Sequence, residues 1–276
     1  MWHSDGVSSA PRDAATVILI RPAAAPDPGD AGIEVFLLRR RQGASFMSGA
    51  FVFPGGIAEA GEDDLRITAA RELFEEAGVL LATTAIADDD RVRLRARVLA
   101  GEPLAAVLAE AGLVLDPDLL QYFAHWITPS AEPRRYDTRF FVALLPAGQE
   151  PRFDDHETVD QAWVDPRTVS ARAGELALPP PQVRCLAELS GSPTTAAVRA
   201  LATARARHPH PIVPRLAPSG GGFALLLPWD PEYLSAGTGA AAPIDADHPL
   251  AIGPSRFILE DRTWKNVDAP GSTTAA

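Results

Sequence analysis

Residues 55–79 read GGIAEAGEDDLRITAARELFEEAGV, and this segment constrains the chain more than any other. Leu65, Ala69, Leu73 and Ala77 repeat at helical spacing, which predicts a helix over about 64–77 with an apolar stripe turned inward. Gly78 follows where glycine usually closes a helix. Near that C-terminal end Glu72, Glu75 and Glu76 share one face. Like charges three and four apart cost about 0.2–0.5 kcal/mol per pair, and carboxylates at a helix C-terminus also oppose the macrodipole. Something must compensate. A solvated acidic surface is one answer, and it accounts for Glu75 and Glu76. It leaves unexplained the Gly55-Gly56 turn and Arg71, one turn before Glu75. Several hard carboxylates converging on one face are what a hard divalent cation such as Mg²⁺ requires.

The rest of the chain bounds the reading. With 276 residues, 46% of them hydrophobic, it can bury a real core and is long for one compact domain, so one domain with additions, or two domains, is expected. A net charge of −11 argues against binding nucleic acid or a membrane surface by general electrostatics. The single cysteine, Cys185, can form no internal disulfide and suits a reducing compartment; on an amphipathic helix it reads as a small core residue. The early apolar run Thr16–Ile20 is too short for a signal-peptide core or a membrane span. A soluble, cytoplasmic protein is expected.

Along the chain, residues 1–14 read as a loose start. Strands are expected at 15–21, 33–39 and 50–53, the last running into Pro54-Gly55-Gly56. Helical periodicity over 88–121 predicts a helical insertion. Strand character returns at 123–128, 138–145 and 158–164, and helices at 166–173, 181–190 and 194–207. A domain spanning 15–208 is expected, with a C-terminal extension over 209–276 of irregular β-structure packed on the core and frayed after Pro270. His208 and His210 lie in a proline-punctuated loop with no third ligand nearby, and Ser219–Gly222 reads as a flexible turn.

Gly56, Glu62 and the run Arg71-Glu72-Leu73-Phe74-Glu75-Glu76-Ala77-Gly78-Val79 together resemble the box of the Nudix hydrolases, enzymes that cleave nucleoside diphosphates linked to another moiety. One spacing departs from the family: eight residues, not seven, separate Glu62 from Arg71-Glu72, which leaves Glu62 or Asp63 as the first acid. Glu62 keeps its distance from the Gly-Gly turn, and Asp63 is then free to cap the helix. The resemblance implies an α/β fold, an α/β/α sandwich around a mixed sheet, in agreement with the β-β-β-helix order above. The stretches HWITPSAEPRRYDTRFFVALLPAGQEP (125–151) and HETVDQAWVDP (156–166) are similar to the long branch of that family related to acyl-coenzyme A diphosphatases.

By that likeness Glu72, Glu75, Glu76 and Glu62 hold Mg²⁺ or Mn²⁺, Arg71 orients a carboxylate of the helix, and Glu72 or the loop acid Glu157 takes the proton of the attacking water. Gly55 and Gly56 approach the substrate. Arg40, Arg134, Arg135 and Arg139 are the candidates for its phosphates, Arg139 foremost because it opens an otherwise apolar strand. Trp126, Tyr136 and Phe140 suit stacking on a base, or the core. The expected substrate is a small nucleoside diphosphate derivative, coenzyme A or acyl-CoA first, ADP-ribose or a nucleotide sugar as the alternative. A nucleotide-sensing module without catalysis ranks lower, since such modules lose box carboxylates that this chain keeps. Monomer and homodimer both remain open.

Overall fold

The computed structural model describes residues 10–24, 32–43, 47–220, 222–236, 241–245 and 247–270. Its main sheet is mixed and seven-stranded. At its centre lies β1 (Arg12–Pro22), paired in parallel along Arg12–Ile20 with β6 (Tyr136–Leu144). The other edge of β1 is shared. Ile20–Pro22 pair with β2 (Ile33–Arg40), while Ala14–Thr16 pair with β4 (Gly55–Ile57), both antiparallel. Between those two partners Val17 N and Thr16 Oγ1 donate to the carbonyl of Pro54, at 2.8 and 2.6 Å. The short β3 (Phe51–Val52) and β7 (Thr158–Val164) pair with β2, and β5 (Gln121–Ile127) pairs with β6.

Both faces of β1 are covered, which is why it reads as an unbroken apolar run and not an alternating one. On one face Val17, Leu19, Phe36 and Leu38 pack on Ala69, Leu73 and Ala77 of α1 (Leu65–Ala77). On the other, Ile18, Ile20, Val35 and Phe123 meet Cys185 and Leu186 of α5 (Pro180–Leu189) and Val198 of α6 (Thr195–Ala206). The result is the expected α/β/α sandwich. The insertion between α1 and β5 forms α2 (Asp88–Leu99) and α3 (Leu104–Glu110), packed through Leu94, Val98 and Val107 on Phe74 and Leu80. Among the described residues no helix is long and apolar enough to cross a membrane.

Four expectations are corrected. Arg12–Ala14 are not a loose start but the first residues of β1, held by pairing with Tyr136–Thr138 on one side and Ile57 on the other; residues 1–9 lie outside the described residues, as does the tail after Pro270. Gly55-Gly56 is a strand and not a turn, because β1 offers it a free edge. The helix expected at 166–173 is a short 3-10 turn, Val169–Arg172, continued by α4 (Ala173–Leu176). The extension is a regular antiparallel sheet, with β8 (Arg215–Ser219), β9 (Gly222–Leu226), β10 (Arg256–Glu260) and β11 (Thr263–Val267) in the order β11-β10-β9-β8. Its Leu227 and Phe257 join the main core.

Candidate active site

The site is built where α1 packs against β4. Asp64 caps the helix, its Oδ1 accepting from Arg66 N at 2.9 Å, and the left-handed Gly78 ends it with a hydrogen bond from its N–H to Phe74 O. The cap is therefore Asp64, not Asp63, which is exposed. Between those ends Arg71 is buried, 6% exposed, among carboxylates. Its Nε donates to Glu62 Oε1 at 2.8 Å, its Nη1 to Glu72 Oε1 and Glu75 Oε2, both at 2.9 Å, and its Nη2 to the Ile57 carbonyl at 2.9 Å. Glu62 also accepts from Thr68 Oγ1 and from the N–H of Glu59. Burial pushes the Glu62 carboxyl up, but these donors outweigh it and hold it below the ordinary range.

Glu72 and Glu76 are in the opposite condition. Burial, with Glu75 and Glu157 nearby, pushes the Glu72 carboxyl up to about 7 against the pull of Arg71. Glu76 is buried outright; burial and the neighbouring Glu72 raise it well above its usual value, and it accepts from the N–H of Gly55 at 2.8 Å. Here Glu62, Glu72 and Glu75 surround one guanidinium, with Glu76 next to Glu72. A donor set of hard oxygens with too little positive charge fits a divalent cation, which would reverse the cost of charging Glu72 and Glu76. Among the described residues no cluster of three or more acids, histidines or cysteines forms a ready-made metal cage; Arg71 holds three of the carboxylates around itself instead.

Two glycines let the strand lie this close. A Cβ on Gly56 would stand 2.2 Å from Glu72 Oε1, and one on Gly55 would stand 2.4 Å from the Ala15 carbonyl. Both line a cavity of about 1040 Å³, together with Glu72, Arg71, Glu157 and Arg40. Glu157 sits on the exposed loop before β7, whose turn is tied by Asp154: its carboxylate accepts from the N–H groups of His156, Glu157 and Thr158. Arg40 Nε is buried without a hydrogen-bond partner.

The other arginines lie elsewhere. Arg134 is exposed, Arg135 donates to the Thr128 carbonyl, and neither lines the cavity. Arg139 turns away from it, since its strand neighbours Thr138 and Phe140 are the ones that face the cavity. Its guanidinium contacts Asp137 and His125 instead. Arg12, assigned no role from the sequence, lines the cavity with Ala14 and Thr16 of the same strand; it sat in a stretch without strand signal. Trp126, Tyr136 and Phe140 line it as well. His210 lies edge-on to His248, and Cys185 is a buried core residue.

The chain is similar to known proteins of one family. The family described as NUDT19 Nudix domain matches residues 61–189, and the NUDIX domain matches residues 10–98. A crystal structure of a NUDIX hydrolase from Alicyclobacillus acidocaldarius is 30% identical, with a TM-score of 0.58, over 70% of this chain and 96% of that one. The Caenorhabditis elegans protein called nudix hydrolase 7 is 35% identical over 56% of this chain and 55% of its own. The acyl-coenzyme A diphosphatase NUDT19 of Xenopus laevis is 25% identical over 56% of this chain and 59% of its own. The chain thus spans a little over half the length of these two curated relatives.

Proposed function

The chain belongs to the Nudix hydrolase family, and from that premise we propose that it is a divalent-metal-dependent diphosphatase acting on a nucleoside diphosphate derivative, with coenzyme A or an acyl-CoA as the leading substrate. One observation carries the reading: Glu72 and Glu76, one turn apart and both held above the ordinary carboxylate range, stand beside a cavity that also receives Glu157, Arg12 and Arg40. Glu72, Glu75 and Glu76 are the residues to hold Mg²⁺ or Mn²⁺, with Glu62 as the acid that anchors Arg71. Such an ion, when bound, neutralises phosphoryl oxygens and acidifies a water.

The remaining work falls to the chain's own side chains. Arg71 fixes the carboxylates of α1 at stated oxygens and keeps Glu72 aimed across Gly56. Glu72 and Glu157 both line the cavity and are the acceptors for the proton of the attacking water. Arg12 and Arg40 bring positive charge to a protein whose net charge is −11 and serve the substrate's phosphates. A cavity of about 1040 Å³ suits a ligand at the large end of the usual range. The coenzyme A preference rests on the match to the NUDT19 Nudix domain and on relatives named acyl-coenzyme A diphosphatase.

The test is to incubate purified protein and Mg²⁺ with coenzyme A esters, ADP-ribose, NADH and nucleoside triphosphates, and to identify products by mass. Cleavage of coenzyme A at its diphosphate, abolished by chelator, is the expected result. Glu72→Gln and Glu76→Gln should each lower kcat at least about a hundredfold, as electrostatic groups of this kind are worth about 3–4 kcal/mol. Full activity in excess chelator refutes the metal dependence, and outright preference for ADP-ribose refutes the substrate.

A further inference from the structure

Glu157 meets the cavity from an exposed loop, and loops are the mobile parts of a fold. A group that takes a proton must nevertheless keep its place to within about half an ångström. Glu157 also lies near enough to α1 to add to the rise of the Glu72 and Glu76 carboxyls, so its distance from that helix matters to the site. Something has to hold the loop.

Residues 151–157 are tied at both ends. Arg152 N donates at 2.8 Å to the carbonyl of Ala77, the residue after Glu76, which references the loop to α1. Gln161 accepts from Phe153 N at 2.8 Å and donates to the Pro151 carbonyl at 3.0 Å. At the far end the pairing of β2 with β7 slips: Arg39 stands opposite Asp160 and Arg40 opposite Thr158, leaving Val159 extra. Bulges of this kind re-aim side chains beside functional sites. Beyond it Arg41 N donates to the carbonyl of Glu157 itself at 3.0 Å.

Two side chains complete the hold. The half-buried Asp154 carboxylate accepts from the N–H groups of His156, Glu157 and Thr158 and from Thr158 Oγ1. Burial pushes that carboxyl up, but these donors outweigh it and keep it below the ordinary range. Arg41 Nε donates to the His156 carbonyl at 2.8 Å, and its Nη2 to the Asp155 carbonyl. One carboxylate thus fixes the N–H groups of the turn from inside, and one arginine fixes its carbonyls from the end of β2. Between them Asp155 is held at φ 61°, a conformation uncommon outside glycine. Such strain persists only where the surroundings over-determine it. A merely solvated acidic loop has no use for so many ties.

On the diphosphatase reading, on which this role rests, we infer that Asp154 and Arg41 are positioning residues for Glu157, Asp154 setting the turn that presents its carboxylate and Arg41 locking that turn to β2. Neither lines the cavity, so both act through Glu157 and not on the substrate.

The test is a pair of double-mutant cycles in the full chain. Asp154→Asn keeps the side-chain shape and loses one acceptor oxygen; Arg41→Met keeps most of the stem and loses the donors. The values of kcat and KM are measured with Mg²⁺ on whichever of coenzyme A, ADP-ribose and NADH the wild type cleaves fastest. Glu157→Gln should lower kcat at least about a hundredfold. Asp154→Asn and Arg41→Met should each lower it about tenfold with KM unchanged, as misplacement of a catalytic group does. Added to Glu157→Gln, neither should lower kcat further, because nothing is left to position. A purely structural role would add its loss to that of Glu157→Gln. Additive losses, wild-type kcat in both variants, a rise in KM alone, or wild-type kcat in Glu157→Gln overturns the assignment. Should Asp154→Asn fail to fold by circular dichroism, Arg41→Met, at an exposed side chain, decides alone. A wild type that cleaves none of the three substrates refutes the diphosphatase reading and this role with it, whereas an active wild type with additive losses refutes this role alone, so the two failures are distinguishable.

Discussion

Arg95 Nη2 donates to the main-chain carbonyl of Glu75 at 2.7 Å, and its Nε donates to the same oxygen at 3.1 Å. Arg91, one turn earlier on α2, donates to the carbonyl of Gly78. Two cations from the helical insertion thus cap the C-terminus of α1, where the macrodipole and the carboxylates are both negative. The insertion supplies from another helix the cations that the last turn of α1 lacks in its own sequence. Arg95→Leu should cost about 1–2 kcal/mol of stability, measured by urea unfolding, with hydrogen exchange fastest in the last turn of α1. A variant as stable as the wild type rules out the capping role.

The adjacent glycines separate stability from activity. Gly55→Ala would drive its Cβ into the Ala15 carbonyl, which is backbone, whereas Gly56→Ala would drive it into the Glu72 carboxylate, which can swing away from Arg71. Gly55→Ala should therefore lose about 1–3 kcal/mol. Gly56→Ala should keep most of its melting temperature and lose kcat by about tenfold or more, because a carboxylate displaced by an ångström no longer serves. Thermal scans and kinetics on the pair check this, and the reverse pattern would contradict the geometry.

Asp63 and Asp64 give a sharper contrast. Asp64 caps α1 and pairs with Arg66 at 2.7 Å, while Asp63 is exposed. Asp64→Ala should cost about 0.5–2 kcal/mol and Asp63→Ala close to nothing, with turnover unchanged in the latter. Loss of activity in a fully stable Asp63→Ala would make Asp63 the first acid of the box.

Stability should depend on pH in opposite senses with and without metal. In chelator, the folded chain holds protons on Glu72, with its carboxyl pushed up to about 7 by burial, and on Glu76, while the unfolded chain releases them near 4.5. Above 4.5 the folded state binds more protons than the unfolded one, so stability is fully present below that value and falls as pH rises toward 7. Saturating Mg²⁺ should abolish or invert the slope, because the ion binds the ionised forms. Glu76→Gln should flatten it in chelator. Melting temperatures over pH 4.5–7.5 decide the matter, and a metal-free slope of the opposite sign would exclude a charging cost at these two residues.

The sequence by itself determined what depends on near neighbours along the chain. Helical spacing places Leu73, Arg71, Glu72 and Glu76 on their faces of α1 whatever surrounds it. Ile18 and Leu19 announce a buried strand because both faces of β1 are covered. Only the tertiary structure decided which distant residues share the cavity. Arg139, favoured from the sequence, is turned away by one residue of register on β6, while Arg12 is brought in because Ala14–Thr16 pair with β4 and carry it along. Likewise nothing near Trp264 or Gln182 marks either as a wall of the same site. The Pro- and Gly-rich tail hides a four-stranded sheet whose strands pair with one another. Strand register and contacts between remote segments are set by which edges and faces remain unpaired after the rest has packed, and that is a property of the whole fold with no local signature in the chain.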